Sequence, residues 1–302
     1  MDNNKSDLNP SDLNKSDFNS GENWQDNVSF LLVRPQFLGN IGSIARVMKN
    51  FGFVNLRFVK APKEYKDSEA RKMAVDAIDV LKKALLFDTM DDALSDIGVS
   101  VGTTSCQQRQ LHPVPFCEAA PGLRQLAMAN QDGKVNKIAI VFGDERDGLS
   151  NQELARCSHI VTIPTNPAFP ALNLAQAAAI CAYELSKKNS AEVNPEAVAL
   201  TGTADKIKMP VQGEPLATGA DNDVLFKHLA DILDRAGFTR TYNHERVLSE
   251  IRSFYQRANP TIRETDLLRG ALLKIAGEIK SPSQLRPVSK TKPGKPTGGD
   301  DL

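Results

Sequence analysis

Unbroken apolar runs alternate with helical patterns between residues 28 and 188. The first run, VSFLLV at 28–33, precedes IGSIARVMKNFG, in which apolar residues recur at helical spacing. Spacing of i, i+3 and i+4 indicates an amphipathic helix, whereas a short unbroken apolar run indicates a strand buried on both faces. Further strands are predicted at 56–59, 98–103, 137–143 and 159–164. The alternation predicts an α/β domain over 27–188, with helices on both faces of a parallel sheet.

The remaining sequence divides into three polar segments and one helical block. Residues 6–20 are three imperfect copies of a polar unit, SDLNP, SDLNK and SDFNS, so we expect a disordered leader over 1–26. A linker with little periodicity is expected over 189–221, and a disordered tail rich in Pro, Lys and Gly over 281–302. Three amphipathic stretches predict a small all-α domain over 222–280.

Charge and cysteine content narrow the possible functions only slightly. The chain has 302 residues with 37 Lys+Arg and 37 Asp+Glu, so its net charge indicates no particular partner. Its four cysteines show no C-x-x-C spacing, and neither a zinc site nor a disulfide framework is expected. No signal peptide is visible, and no run approaches the roughly 18 apolar residues of a membrane helix. We therefore expect a cytoplasmic protein without a metal or a membrane partner.

The segment RPQFLGNIGSIARVMKNFG at 34–52 joins a strand to a helix through a glycine-containing turn. Such a unit is typical of dinucleotide-binding folds. Those folds also require an acidic residue about 20 positions on, at the end of the next strand, where this chain has Lys60. A nicotinamide oxidoreductase is therefore disfavoured. That interpretation also leaves Asn40 and Arg46 without a role.

Two further polar loops follow predicted strands. In IVFGDERDGLSNQEL (140–154), Gly143 and Glu145 come directly after a strand, and Ser150-x-x-Glu153 predicts the capping box of a new helix. In IPTNPAFPALNLAQ (163–176), a proline-rich loop leads to Asn173, which is a suitable N-cap for the last helix of the domain. Ligands of α/β sheets bind at the carboxyl ends of strands, where both loops are expected.

Together the three segments resemble one known family. The patterns N-x-G-x-x-x-R, F-G-x-E-x-x-G-L and I-P…L-N-L-A, in this order, resemble the SpoU branch of the trefoil-knot RNA 2′-O-methyltransferases. The resemblance covers roughly residues 27–188. The sequence VGTTS at 101–105 and a C-terminal block with LFKHL, GF and LLRG are similar to the TrmJ subfamily. Members of that subfamily methylate the 2′-hydroxyl of nucleotide 32, a C or U, in the tRNA anticodon loop.

The resemblance implies a fold, a methyl donor and a set of site residues. It implies a trefoil knot at the end of the α/β domain, a homodimer formed through that domain, and a helical domain that contacts tRNA. Arg46 matches the catalytic arginine, and Asn40 and Glu145 match positions expected to fix Arg46 and the ribose. The S-adenosylmethionine pocket would be formed by Thr103, Thr104, Ser105, Gly143, Ile163, Pro170, Ala171, Leu172 and Asn173.

One position departs from the family pattern. The third motif commonly reads S-L-N, whereas this chain has Ala171-Leu172-Asn173. The missing hydroxyl matters little if the loop contacts the cofactor mainly through its backbone, which is our expectation. Two alternatives stay open at this point: methylation of ribosomal RNA, and a relative that binds RNA without catalysis.

Overall fold

A computed structural model of the chain describes residues 23–105, 113–131, 134–187, 214–240 and 242–278. The predicted tail and most of the predicted leader and linker lie outside these residues. The strands are β1 (Val28–Val33), β2 (Asn55–Val59), β3 (Leu85–Phe87), β4 (Val99–Thr103), β5 (Val114–Pro115), β6 (Asn130–Gln131), β7 (Lys134–Val135), β8 (Ile138–Phe142) and β9 (His159–Thr162). The helices are α1 (Leu38–Asn50), α2 (Ser68–Ala74), α3 (Ile78–Lys83), α4 (Met90–Leu94), α5 (Phe116–Met128), α6 (Asn151–Leu154), α7 (Leu174–Ser186), α8 (Gly219–Arg235), α9 (His244–Gln256) and α10 (Ile262–Glu278).

Seven of the strands form one sheet, in the order β3-β2-β1-β8-β4-β9-β5, and every neighbouring pair is parallel. The five predicted strands are confirmed to within two residues at each end. Their uniformly apolar sequences suit a parallel sheet, because helices cover both faces and leave no solvated side. Strands β6 and β7 form a separate two-stranded hairpin.

Two hydrophobic clusters lie on opposite faces of the sheet. Successive side chains of a strand point to opposite faces. In β1, Phe30 and Leu32 accordingly join the cluster that contains buried side chains of α1, α5 and α7, while Leu31 and Val33 join the cluster of α4 and α6. The predicted two-sided coverage is therefore confirmed.

The folded part of the chain extends beyond two predicted boundaries. Trp24–Asn27 form a 3-10 turn, and the Trp24 ring packs edge-on against Phe53 at 5.8 Å between ring centroids. The predicted leader is therefore too long, because residues 23–26 belong to the folded domain. The predicted linker is also too long: Leu216 is buried, and α8 begins at Gly219 behind a capping box of Thr218 and Asp221.

The predicted C-terminal block does consist of three helices, and the first of them begins at Gly219, three residues before the predicted start of the block. Gly237 and Asn259, both with positive φ, stand at the C-terminal sides of α8 and α9 and reverse the chain. The block contacts the α/β domain directly: the Gly219 and Ala220 amides donate to carbonyls at Ile97 and Ser95. Within the described residues, no helix has the length and apolar character to cross a membrane.

Candidate active site

The site lies at the carboxyl ends of four adjacent strands. In the order β1-β8-β4-β9, each of these strands is followed by one of the loops that the sequence singled out. Loops separated by more than a hundred residues therefore meet at one edge of the sheet. This is the edge at which α/β sheets bind ligands.

A cleft of about 520 Å³ lies between these loops. This volume falls within the range of about 300–1,000 Å³ that is typical of small-molecule sites. Eight of the nine residues expected to hold the cofactor line it: Thr103, Thr104, Ser105, Gly143, Ile163, Pro170, Ala171 and Leu172. The ninth, Asn173, lies next to the cleft at the start of α7.

Gly143 is required by the protein's own backbone. A Cβ atom at this position would lie 2.0 Å from the Gly148 carbonyl carbon and 2.2 Å from the Leu149 nitrogen. The close approach that requires a glycine here is therefore one between two parts of the same loop. Gly148 has φ +66°, which favours glycine for a second reason. The two glycines make the loop from 143 to 149 compact.

One hydrogen-bond network joins three of the predicted site residues. The Glu145 carboxylate accepts from the Asn40 side-chain amide at 2.9 Å and from the backbone amides of Gln36 and Phe37 at 2.9 and 3.1 Å. The side-chain oxygen Oδ1 of Asn40 accepts from Nδ2 of Asn173 at 2.9 Å. The network links the loops that follow β1, β8 and β9, so the three motifs act as one unit.

Asn173 also caps α7, as predicted. Its Oδ1 accepts from the Ala175 and Gln176 amides, and the Gln176 side chain accepts from the Asn173 amide, which completes a capping box. The predicted box of Ser150 and Glu153 is likewise confirmed at the start of α6. Asn173 thus fixes the end of the proline-rich loop and holds Asn40 at the same time.

Sequence reasoning missed Arg34, which directly follows β1. Its guanidinium donates to Oδ2 of Asp144 at 3.2 Å, to the Gly148 carbonyl at 3.3 Å, and through both terminal nitrogens to Glu153. An arginine next to a proline after a strand carries no local signal of such contacts. The acceptors lie 110 to 119 residues away: Asp144 and Gly148 are on the loop that forms one wall of the cleft, and Glu153 is in α6.

The charges in this cluster stabilise one another. The hydrogen bond to Glu153 is the main cause that raises the pKa of Arg34. Burial raises the pKa of Glu153, but the bonds from Arg34 and Ser150 outweigh it and the net shift is downward. Burial also raises the pKa of Asp144, but hydrogen bonds from the backbone amides of Asp147 and Arg146 and from the Arg34 guanidinium outweigh it, so the net shift is again downward. Both carboxyls therefore remain ionised beside the arginine at neutral pH.

Arg46 is exposed on α1, and within the described part of the chain it has no ion pair or hydrogen-bond partner. Neither Asn40 nor Glu145 contacts it, so within one chain these residues hold each other rather than Arg46. At about 100° per residue, Asn40 and Arg46 project from the helix roughly 120° apart. Neither residue is among those that line the cleft of the same chain.

The proline-rich loop presents backbone and apolar side chains to the cleft. The Thr165 hydroxyl donates to the Pro170 carbonyl at 3.0 Å, and the Phe169 amide donates to the Asn166 carbonyl at 2.9 Å. Ala171 follows this turn and lines the cleft. Over the residues that the structure describes, no group of three His, Cys, Asp or Glu could hold a metal ion.

Two family models match this chain. Residues 27–183 match the SpoU rRNA methylase family, and residues 220–284 match the C-terminal domain of the tRNA methyltransferase TrmJ. The first match covers the sheet, the cleft and α7, and the second covers the three C-terminal helices. The matches therefore divide the chain where the fold does.

Individual proteins are similar over most of the chain. A tRNA (cytidine/uridine-2′-O-)-methyltransferase TrmJ from Yersinia pestis (strain Pestoides F) is 36% identical over 262 residues, which cover 85% of this chain and 95% of that protein. The protein of the same name from Klebsiella pneumoniae subsp. pneumoniae is 34% identical over 257 residues, covering 84% and 98%. The crystal structure of TrmJ from Z. mobilis ZM4 is similar with a TM-score of 0.66 and 30% identity, over 82% of this chain and 98% of that one.

Proposed function

Because the chain belongs to the SpoU methylase family and is a methyltransferase, we propose that it methylates the ribose 2′-hydroxyl of tRNA. The proposed target is nucleotide 32, a C or U in the anticodon loop, and the proposed location is the cytoplasm. The observation that carries the proposal is the network of Glu145, Asn40 and Asn173 beside the cleft. The match of the helical block to the TrmJ C-terminal domain favours tRNA over ribosomal RNA.

S-adenosylmethionine is the proposed methyl donor, and the cleft fits it. Thr103, Thr104 and Ser105 supply hydroxyl and backbone groups on one side, and the loop of Pro170 to Leu172 supplies backbone and apolar contacts on the other. Gly143 and Gly148 keep the opposite wall compact and leave room for a ligand of this size. When bound, the donor supplies an electrophilic methyl group on a good leaving group.

The chain's own residues then have to align the acceptor and ease its loss of a proton. A guanidinium stays protonated, so Arg46 does not act as a base. Its proposed role is to hold a phosphate next to the target ribose and to stabilise the alkoxide that develops on the 2′-oxygen. The proton would pass to that phosphate or to water. The exposed guanidinium of Arg46 is available for such a contact.

The proposed enzyme is a homodimer in which Arg46 of one subunit serves the cleft of the other. The position of Arg46 supports this arrangement, because it is exposed on α1 and is not among the residues that line the cleft of its own chain. The proposed knot has the proline-rich loop and α7 threaded through the loops at the cleft. Its support is the strand order, in which β9 enters the sheet between β4 and β5.

A mixing experiment tests the shared site. Arg46→Ala removes the arginine and leaves its own cleft intact, whereas Gly143→Val disrupts the cleft and leaves Arg46 intact. Each variant alone should be inactive on unmodified tRNA. Refolded together, they should recover about a quarter of wild-type activity, since half of the dimers are mixed and each has one intact site. Mixtures as inactive as their parents would refute the shared site, and an active Arg46→Ala enzyme would refute the role of Arg46.

The C-terminal helices are proposed to hold tRNA. The candidates are Arg240, Arg246, Arg252, Arg257, Arg263, Arg269 and Lys274, and four of them already form ion pairs with acidic side chains. Binding of tRNA that weakens steeply with salt, and that is lost when residues 222–302 are deleted, would support this role. Unchanged binding by the deleted chain would place the tRNA contacts elsewhere.

A further inference from the structure

Arg34 does not itself line the cleft, but it contacts Asp144 and Gly148, which stand at the two ends of one cleft wall. Its acceptors at Asp144, Gly148 and Glu153 span the whole loop between β8 and α6. The side chain is about one third exposed, with a relative accessibility of 35%. Its backbone has φ 54°, a conformation that is uncommon for a residue other than glycine. The Arg34 amide also donates to the Val59 carbonyl at 2.8 Å, which anchors the residue to the end of β2.

The loop from Asp144 to Leu149 is held to the β1–α1 segment at two places. One is Glu145, through its bonds to Gln36, Phe37 and Asn40. The other is Arg34, whose planar guanidinium reaches two carboxylates and a carbonyl at once. Glu145 holds the start of the loop to the beginning of α1, whereas Arg34 bonds to Asp144 at the start and to Gly148 near the end. The two contacts together set the distance between this wall and the rest of the cleft.

Without the arginine, the loop would carry two carboxylates near one another and no cation between them. Asp144 is almost fully buried and Glu153 is largely buried, with side-chain accessibilities of 5% and 16%. Water screens their repulsion poorly at such sites. The repulsion would push the start and end of the loop apart, and the wall of the cleft would lose its position.

We infer that Arg34 is a positioning residue that holds the 144–149 wall of the cleft in its ligand-binding position by neutralising Asp144 and Glu153. The inference rests on the proposed function, because the ligand of the cleft is S-adenosylmethionine. Arg34 is not among the residues that line the cleft, so its proposed action is through Asp144, Gly148 and Glu153. Its loss should therefore weaken donor binding more than it slows turnover at saturating donor.

The test is calorimetric titration of the full chain with S-adenosylmethionine, combined with turnover at saturating donor. Arg34→Ala should raise the Kd about tenfold, equivalent to about 1.4 kcal/mol, and should lower kcat by less than about threefold. Arg34→Lys should fall between it and wild type, because an ammonium supplies the charge but not the planar fork. Arg156→Ala is the matched control: it removes an arginine of similar exposure, 41%, from its ion pair with Asp91 and away from the cleft.

A double variant separates charge neutralisation from a general loss of stability. Glu153→Gln keeps the side-chain length and can still cap α6, since glutamine also serves in capping boxes. Added to Arg34→Ala, it should recover about threefold of the lost affinity, because only one carboxylate then remains uncompensated. A Kd for Arg34→Ala equal to that of wild type, or a double variant no better than the single one, would overturn the inference. Failure of wild type itself to bind the donor would instead overturn the proposed function and, with it, the inference.

Discussion

Replacement of Gly143 by alanine should disable the cleft while leaving the rest of the fold intact. The added Cβ atom would meet the Gly148 carbonyl carbon at 2.0 Å, its oxygen at 2.4 Å and the Leu149 nitrogen at 2.2 Å. All three neighbours belong to backbone, so no side-chain rotation relieves the contact. Ordinary van der Waals contact begins near 3.4 Å, and the 144–149 segment would have to move by about 1.4 Å.

Such a displacement has a cost that can be estimated. Overpacking of well-packed sites typically costs about 1–3 kcal/mol, and the rigid neighbours place Gly143→Ala at about 3 kcal/mol. For a domain of this size, the melting temperature should fall by roughly 6–12 °C. The movement also breaks the short bridge between Asp144 and Gly148 and pulls the loop away from Arg34. We therefore expect affinity for S-adenosylmethionine to fall by more than about tenfold.

Thermal unfolding and calorimetric titration check both effects, and Gly270→Ala provides the control. Gly270 lies in α10 with open space where its Cβ would be, so alanine there should stabilise the helix by about 0.5–1 kcal/mol. If Gly143→Ala has the melting temperature and the donor affinity of wild type, the loop accommodates an added methyl group without strain. The assignment of Gly143 to backbone packing would then be wrong.

Three further outcomes are expected. Glu145→Gln should slow methyl transfer by about tenfold or more in a single-turnover assay. A glutamine side chain cannot accept all three hydrogen bonds that the Glu145 carboxylate accepts, and at least one charge-assisted bond is lost. Unchanged turnover would contradict this prediction. Ala171→Ser should leave donor affinity and turnover within about twofold, if the loop acts through its backbone; a large gain would show that the missing hydroxyl matters. Asp96→Ala should lower the free energy of unfolding by about 2 kcal/mol at pH 7, because it leaves the buried Arg57 guanidinium unpaired. We expect less than for a fully buried pair because Asp96 itself is 42% exposed. The hydrogen bond from Arg57 is the main cause that lowers the pKa of Asp96, so the wild-type advantage should diminish as the pH falls below the ordinary value of 3.8; a difference independent of pH in urea unfolding would refute this.

The sheet and the position of the site could be predicted because both follow from local pattern. Apolar runs such as VSFLLV identify buried parallel strands, and parallel strands bring their carboxyl ends to one edge. The loops that contain Asn40, Glu145 and Asn173 were expected there, and the structure joins these three residues by hydrogen bonds. The helix caps at Ser150 and Asn173 could also be predicted, since the two residues of a capping box are only three positions apart in sequence.

Elements that depend on context were not predictable. Strand β3 has only three residues and lies at the edge of the sheet. Leu85 and Leu86 are about half exposed, so the sequence there lacks the long apolar run that indicates a buried strand. Helix α5 contains Pro121, and a proline inside a segment argues against a helix when only the local sequence is considered. The contacts of Arg34 depend on tertiary structure alone, since its partners lie over a hundred residues away in sequence.

Mapping of the methylated nucleotide tests the proposed function most directly. The purified full-length chain would be incubated with S-adenosylmethionine and unmodified tRNA, and the RNA digested and analysed by mass spectrometry. We expect a single 2′-O-methyl group on nucleotide 32, absent from a parallel reaction with Arg46→Ala. A methyl group on another nucleotide would refute the target, transfer to ribosomal RNA but not to tRNA would refute the substrate class, and no transfer to either RNA would contradict the proposed function as a whole.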